Sequence, residues 1–546
     1  MKHIILTLAA AVSLMATPLH LDAAKVKGRV SSGRKPLAGV AVSDGRSIVF
    51  TNARGRYVLR TEKADSIVFI TTPSGYVAES IDGIRPGFWQ LLTRPAGRNE
   101  RHNFKLVPEN QDKYSAMFIT DMHFANDSTR NDLEVYTKLV KPLVDSQYAI
   151  AAARGPVYTF NMGDFSHDRY WYDFNFNEAD AEAFLESSGF PTKVYSVSGN
   201  HDNDGAISHL GEANDFESAW CYRHTWGPAY YSVNIGGDHW VMLDDVIYVN
   251  DGKADSKHKN INGKRNYRCR FTEPQLDWLK QDLESVDPQT RVFVVCHVPL
   301  LNDASKSERI EQTQLDTLDA IFSKFDRVVA FSGHTHKRIN PDSGDYPRFK
   351  QYIAPAVSGS MWQHPAGYPC IGSDGSDNGI TVMDCSAENP VPEYVTAAHG
   401  PRLMRIYDMN GVGEFFRSDA GCLRLHELCP DRLWYGSREF NNCIFVNYWN
   451  LMPGDRVEVY ENGKLLDVEK VNIEDPLVTL TYTASKLGPD SKYSKSLEKA
   501  GKNPHLFSAK ARTATAPVTV KVFNAEGVEV YEEELVRPKA FGRDAE

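Results

Sequence analysis

Ser198-Gly199-Asn200-His201-Asp202 is the stretch that organises this chain. It follows Lys193-Val194-Tyr195-Ser196-Val197, an apolar run that reads as a buried strand. A glycine at its end permits a tight turn. Three side chains able to bind a metal or move a proton come next without a break. A loop at the carboxyl end of a strand is where α/β sheets place reactive groups. Alone, the pentapeptide also reads as an ordinary Gly-Asn turn with polar neighbours.

Four more runs repeat the arrangement. Tyr114 to Thr120 ends in Asp121-Met122-His123, and Val157 to Met162 ends in Gly163-Asp164. Arg291 to Cys296 ends in His297, and Arg327 to Ser332 ends in Gly333-His334-Thr335-His336. Taken singly, Asp121 reads as a helix cap and His297 as a core histidine. Taken in order, five apolar strands each deliver Asp, Asn or His at the carboxyl end. If the strands share a sheet, these side chains converge on one edge. Two Asp, one Asn and four His, with His201 and Asp202 besides, suffice for two divalent cations with positions open to water and substrate.

The ordered set Asp121-x-His123, Gly163-Asp164, Gly199-Asn200-His201-Asp202, His297 and Gly333-His334-x-His336 resembles the calcineurin-like metallophosphoesterase superfamily. The resemblance runs from Tyr114 to Asp384 and includes each motif of that family. It implies an α/β fold, a double β-sandwich flanked by helices, and hydrolysis of a phosphoric ester at a two-metal centre. It implies Asp121, His123 and His336 as ligands of the first metal. Asn200, His297 and His334 would hold the second, and Asp164 would bridge both. It further implies attack on phosphorus by a metal-bridging hydroxide, with His201 as general acid and Asp202 orienting its ring. The mixed nitrogen and oxygen ligands suit Mn, Fe and Zn alike. Purple acid phosphatases carry a Tyr three residues after the second-motif Asp. Here that place holds His167, which argues against an Fe-tyrosinate centre.

The chain has 546 residues, enough for two to four domains. Met1-Lys2-His3, an apolar run from Ile4 to Ala16, and a small-residue ending at Ala23-Ala24 read as a secretory signal peptide, residues 1–24. The expected location is periplasmic or secreted. The apolar run is short for a bilayer span, and no later segment has the length. The net charge of -10 argues against nucleic-acid and anionic-membrane partners. Eight cysteines form no tight disulfide framework. Cys422, Cys429 and Cys443 lie close enough in sequence to supply one bridge.

Residues 25–108 alternate short β signals with turns and resemble the transthyretin-like or carboxypeptidase-regulatory β-sandwich of secreted enzymes. The reading favours a folding or positioning module over a carbohydrate-binding one. The catalytic region spans 113–397, with helices expected over Asn131–Ala153, Glu178–Ser187, Glu273–Ser285 and Gln312–Phe325. Thr272 and Gln275 stand at capping-box spacing. Two inserts border the expected site. One is the aromatic run Tyr170 to Phe176, either a buried anchor or a stacking surface. The other runs from Ser358 to His364 and is followed by the glycine-rich loop Gly372 to Gly379. His209, His224, His239 and His364 read as structural. Residues 398–546 read as a second all-β domain, with Glu461-Asn462-Gly463-Lys464 as a hairpin turn.

The leading expectation is a secreted hydrolase of small-molecule or glycan-linked phosphoesters. Diesters are favoured over monoesters because the aromatic inserts suit a bulky group on phosphorus. The alternatives are a pyrophosphohydrolase acting on nucleotide sugars and a non-catalytic glycan-binding surface protein.

Overall fold

The computed structural model describes residues 24–543 apart from 212, 253–257, 262–264, 302–308, 398–399, 401, 495–496 and 498–502. The expected signal segment ends at the first described residue and otherwise lies outside them.

Two five-stranded sheets form the centre of the molecule. In the first, Val194–Ser196, Val157–Asn161 and Ser115–Ile119 run parallel, and Gly379–Asp384 and Glu393–Thr396 continue the sheet antiparallel. In the second, Asp238–Met242, Arg291–Val295, Val328–Ser332 and Phe349–Ile353 run parallel, with Tyr231–Ile235 antiparallel at the edge. These are the β-branched and aromatic runs expected of strands covered on both faces. Aromatic side chains seal the sheets together. Phe118 stacks on Phe331 at 4.0 Å and Phe160 on Trp240 at 4.2 Å. All five motif-bearing strands point their carboxyl ends to one edge, which creates the site.

Helices cover the outer faces. Asp132–Val135 and Lys141–Ala152 are joined through a π-turn at Tyr136–Val140. Glu178–Ser187 starts at a full Asn177/Asp180 capping box. Glu273–Glu284 starts at Thr272, whose side chain accepts from Gln275 N at 3.4 Å. That box is only half formed, because the Gln275 amide turns away to bond the backbone of Asp244.

The N-terminal sandwich pairs Ala24–Ser32 with Arg56–Thr61 and Phe104–Pro108 in one sheet. Ala41–Ser43, Ile48–Phe50, Ile67–Ile70 and Trp89–Leu91 make the other. Its apolar side chains run into the catalytic core as one cluster. The C-terminal region holds two four-stranded sheets, with the Glu461–Lys464 turn closing a hairpin as expected. It is β-rich but not all-β. Met409–Ser418, Ala420–Leu428 and Pro476–Tyr482 are helices capped by Asp408, Asp419 and Asp475. Their short apolar repeats were masked by the strand-like residues on either side. The eight cysteines are free, seven of them buried, so the bridge considered among Cys422, Cys429 and Cys443 does not form.

Candidate metal centre

Backbone strain marks the site first. Asp121, His123, Asp164, His334 and His336 all have φ between +48° and +68°. Non-glycine residues rarely occupy that region, and such strain gathers where function requires it. The motif glycines allow the loops to close. A Cβ on Gly199 would collide with Asp164, and one on Gly333 with Thr120 and Asp121.

The side chains form two groups that share Asp164. Asp121, His123, Asp164 and His336 bring ligand atoms within 4.8 Å of one another, and so do Asp164, His297 and His334. His336 Nε2 lies 3.1 Å from Asp121 Oδ1 and 3.0 Å from His123 Nε2. His297 Nε2 faces Asn200 Oδ1 at 3.1 Å, His334 Nδ1 at 3.1 Å and Asp164 Oδ2 at 3.4 Å. The seven predicted ligands are thus together. Asp121, His123, Asp164 and His297 form a buried floor, while Asn200, His334 and His336 reach the opening.

The protonation pattern fits cations. His297 Nδ1 lies 2.8 Å from the Met162 carbonyl and must be the nitrogen that carries the proton there. Its Nε2 then faces Asn200 Oδ1 and Asp164 Oδ2, and offers a lone pair once a cation takes the place of its proton. Among the described residues His123 Nδ1 is buried without a hydrogen-bond partner, and Asp121 Oδ1 meets only the ring nitrogens of His336 and His123. A cluster of lone pairs with too few protons is stable only around positive charge. The protein groups express the same demand. Burial pulls His297 down, yet the charges of Asp164 and Asp121 push it up to about 10. Burial and the neighbouring His297 take His334 down to about 3.

Asp202 requires a correction. It does not orient His201. Its carboxylate accepts from the backbone N–H groups of Asp164, Phe165, Ser166 and Gly199 at 2.8–3.1 Å and so ties the second and third motif loops together. The partner of His201 Nδ1 is Asp168, at 2.8 Å. Asp168 is buried and is held in turn by Arg265. Asp168 stands four residues after Asp164, a spacing visible in the sequence. Arg265 gave no signal. It lies on the hairpin of Val246–Asn250 with Arg265–Cys269, which also sets Tyr267 OH 3.3 Å from His334 Nε2. His167 is buried beside the site, with its ring 5.2 Å from His123 and 4.5 Å from His201.

The first aromatic insert divides its work. Trp171 is buried and donates to Ser166 Oγ at 2.9 Å, as an anchor would. Tyr170 stays half-buried, 4.8 Å from the His167 ring, with Arg130 stacked on it at 4.7 Å. Of the histidines read as structural, His239 pairs with Asp282 at 2.9 Å, and His224 bonds the carbonyl of Trp220 in its own helix.

Residues 114–338 match the calcineurin-like phosphoesterase family. Residues 24–109 match the N-terminal region that accompanies it, and residues 351–529 the C-terminal region. The chain belongs to the calcineurin-like phosphoesterase family. Among curated proteins, human serine/threonine-protein phosphatase CPPED1 is 23% identical over 205 residues, 36% of this chain and 54% of that protein. The chain thus spans about half the length of this relative. Human manganese-dependent ADP-ribose/CDP-alcohol diphosphatase is 37% identical over 67 residues, 12% of this chain and 20% of its own. Among solved structures, a dimetal phosphatase from Danio rerio aligns with a TM-score of 0.33 at 13% identity, covering 52% of this chain and 95% of that one.

Proposed function

We propose that this protein is an exported phosphoric-ester hydrolase that uses two divalent cations and acts on diesters ahead of monoesters. The observation that carries the reading is the pair of donor groups with Asp164 common to both. Asp121, His123 and His336 would hold one cation, Asn200, His297 and His334 the other. Mn, Fe and Zn all accept such a set. Bound cations would neutralise charge on the phosphoryl group and acidify water.

The chain's own residues supply the rest. With Nδ1 engaged by Asp168, His201 has Nε2 left to hold a proton for the departing oxygen. The Asp168 carboxylate, propped by Arg265, steadies the charged form of that ring. Asp202 keeps the two loops in register. The buried floor of Asp121, His123, Asp164 and His297 keeps bulk water from the reacting centre.

Tyr170 beside His167 supports an organic group on the phosphorus and hence a diester. The segment shared with the ADP-ribose/CDP-alcohol diphosphatase favours a second reading, hydrolysis of a diphosphate. Metal analysis of the purified protein, with rates on bis-p-nitrophenyl phosphate, p-nitrophenyl phosphate and UDP-glucose, separates these. Faster turnover of the bis ester than the mono ester supports the first reading. Turnover of UDP-glucose alone transfers the proposal to the second. No turnover of any of them with two metals bound defeats both. Export rests on the start of the sequence, and N-terminal sequencing from the native compartment should find a chain beginning near Lys25. A retained Met1 would refute it.

A further inference from the structure

A histidine that holds a cation through one ring nitrogen carries its proton on the other, and that outer N–H needs an acceptor. The acceptor fixes the tautomer and the direction of the ring. His297 finds one in the Met162 carbonyl, 2.8 Å from its Nδ1. His334 meets the same need with a side chain.

The geometry tells the two nitrogens of His334 apart. Nδ1 lies 3.1 Å from His297 Nε2, which itself faces Asn200 Oδ1 at 3.1 Å and Asp164 Oδ2 at 3.4 Å. Nδ1 is therefore turned toward the second group of donors, and Nε2 is the outer nitrogen. The main chain is tied elsewhere, because His334 N donates to Asp121 Oδ2 at 3.0 Å. That bond anchors the loop but leaves the ring free to turn about its side-chain torsions. Tyr267 Oη stands 3.3 Å from Nε2, and the two rings meet edge to face, 5.5 Å apart at 87°.

Tyr267 is well supported in that place. It lies on Arg265–Cys269, opposite Tyr248 of the paired strand, and packs against the buried apolar cluster of the catalytic core. Burial alternates along the strand, with Asn266 and Arg268 exposed and Arg265, Tyr267 and Cys269 on the covered face. Two residues before Tyr267 on that face, Arg265 holds the Asp168 carboxylate that meets His201. One strand thus braces two histidines of the site, His334 directly and His201 through Asp168.

We propose that Tyr267 is a positioning residue for the second cation, on the two-cation reading above. Its hydroxyl oxygen accepts the Nε2–H of His334 and keeps Nδ1 aimed at the group of Asn200, His297 and Asp164. A phenol is a neutral acceptor, so it steers the ring without adding charge beside the cation. Phenylalanine in its place would keep the packing and remove only the acceptor.

The test titrates full-length apoprotein with Co2+, followed by calorimetry and by the visible spectrum of the bound ion. Wild-type protein is expected to take up two ions, and uptake of fewer defeats the two-cation reading and this inference with it. Asn200→Ala identifies the step that belongs to the second position. Tyr267→Phe is expected to weaken that same step by about 10–100-fold, to leave the other within about twofold, and to shift the visible spectrum. Asn266→Ala, on the exposed face of the same strand, should change neither step. With two ions bound to wild type, unchanged constants in Tyr267→Phe, equal weakening of both steps, or weakening of the other step alone would overturn the proposal. A raised KM for bis-p-nitrophenyl phosphate at unchanged Co2+ affinity would overturn it too, by making the hydroxyl a substrate contact.

Discussion

His201 and Asp202 are neighbours in sequence with opposite duties. Asp202 serves the backbone, accepting four N–H bonds, whereas Asp168 meets the ring of His201. Their variants should therefore part company. Asp168→Asn is expected to keep its metals and lose turnover by about 10²-fold, at the low end of general acid effects. The loss should be larger for an alkyl leaving group than for p-nitrophenolate, which needs no proton. An equal loss on both esters would make Asp168 a structural residue. Asp202→Asn removes an acceptor and points an amide donor at backbone donors. It should cost roughly 3 kcal/mol of stability or more, read by denaturant unfolding, with metal lost as the loops separate. Asp164→Asn should lower metal content at both positions, and wild-type metal content in that variant would sink the shared-ligand assignment. Glu182 offers a pH test away from the site. Burial raises its carboxyl to about 7, against the pull of Arg85 3.4 Å away. The folded state thus binds this proton more tightly than the unfolded chain. Its contribution is favourable at low pH and is lost as pH rises from about 4.5 through 7. Glu182→Gln should stabilise the protein at pH 8 by on the order of 2 kcal/mol and leave it nearly unchanged at pH 5. An equal gain at both values would refute the sign.

The strand-to-loop transitions set the site at the scale of elements. Each motif follows a strand whose register is fixed by parallel neighbours, so a residue cannot slip without turning inside out. The loops then bend sharply enough to hold five ligands at positive φ. Gly333 is where this leaves least room, because a Cβ there meets Thr120 Oγ1 and Asp121 Oδ2. Gly333→Ala should shift Asp121 and reduce metal content while the protein stays folded, as circular dichroism and metal analysis would report together. Full metal content in the variant would show that the loop has slack. The strand pair of Val246–Asn250 with Arg265–Cys269 is the element whose importance was least visible. It delivers Arg265 and Tyr267 across the mouth of the site.

Three regions act as one body at the scale of the whole molecule. The N-terminal sandwich shares a continuous core with the catalytic sheets. Phe88 lies 4.6 Å from Tyr231, Phe69 lies 6.2 Å from Trp278, and Thr72 bridges to Val233. A chain lacking residues 24–108 would expose that face to water and is expected to be insoluble or strongly destabilised. A soluble product with an unchanged melting temperature would show the sandwich to be an appendage. The C-terminal region docks through buried polar groups instead. Asp374 accepts from Arg338 N at 2.8 Å, two residues past His336, and meets His505 Nε2 at 2.9 Å. His505 in turn contacts Asn447 at 2.6 Å. The glycine-rich loop Gly372–Gly379 is therefore a joint between the catalytic and C-terminal regions.

The five strands with chemistry at their carboxyl ends could be read from the sequence because both signals are local. Apolar runs report burial, and Asp, Asn or His at the end of each run, after a glycine in three of the five, reports a reactive turn. That was enough for the fold, the family resemblance and the seven ligand candidates. The partner of His201 could not be read in the same way. Asp202 is adjacent in the chain, but successive residues in a tight turn point apart, and its carboxylate finds backbone donors first. Asp168 reaches the ring because a short 3-10 turn carries it back across the loop. Arg265 and Tyr267 come from a strand far in sequence from Asp168 and His334, which they meet. Only tertiary packing brings them together, and no local pattern encodes that packing.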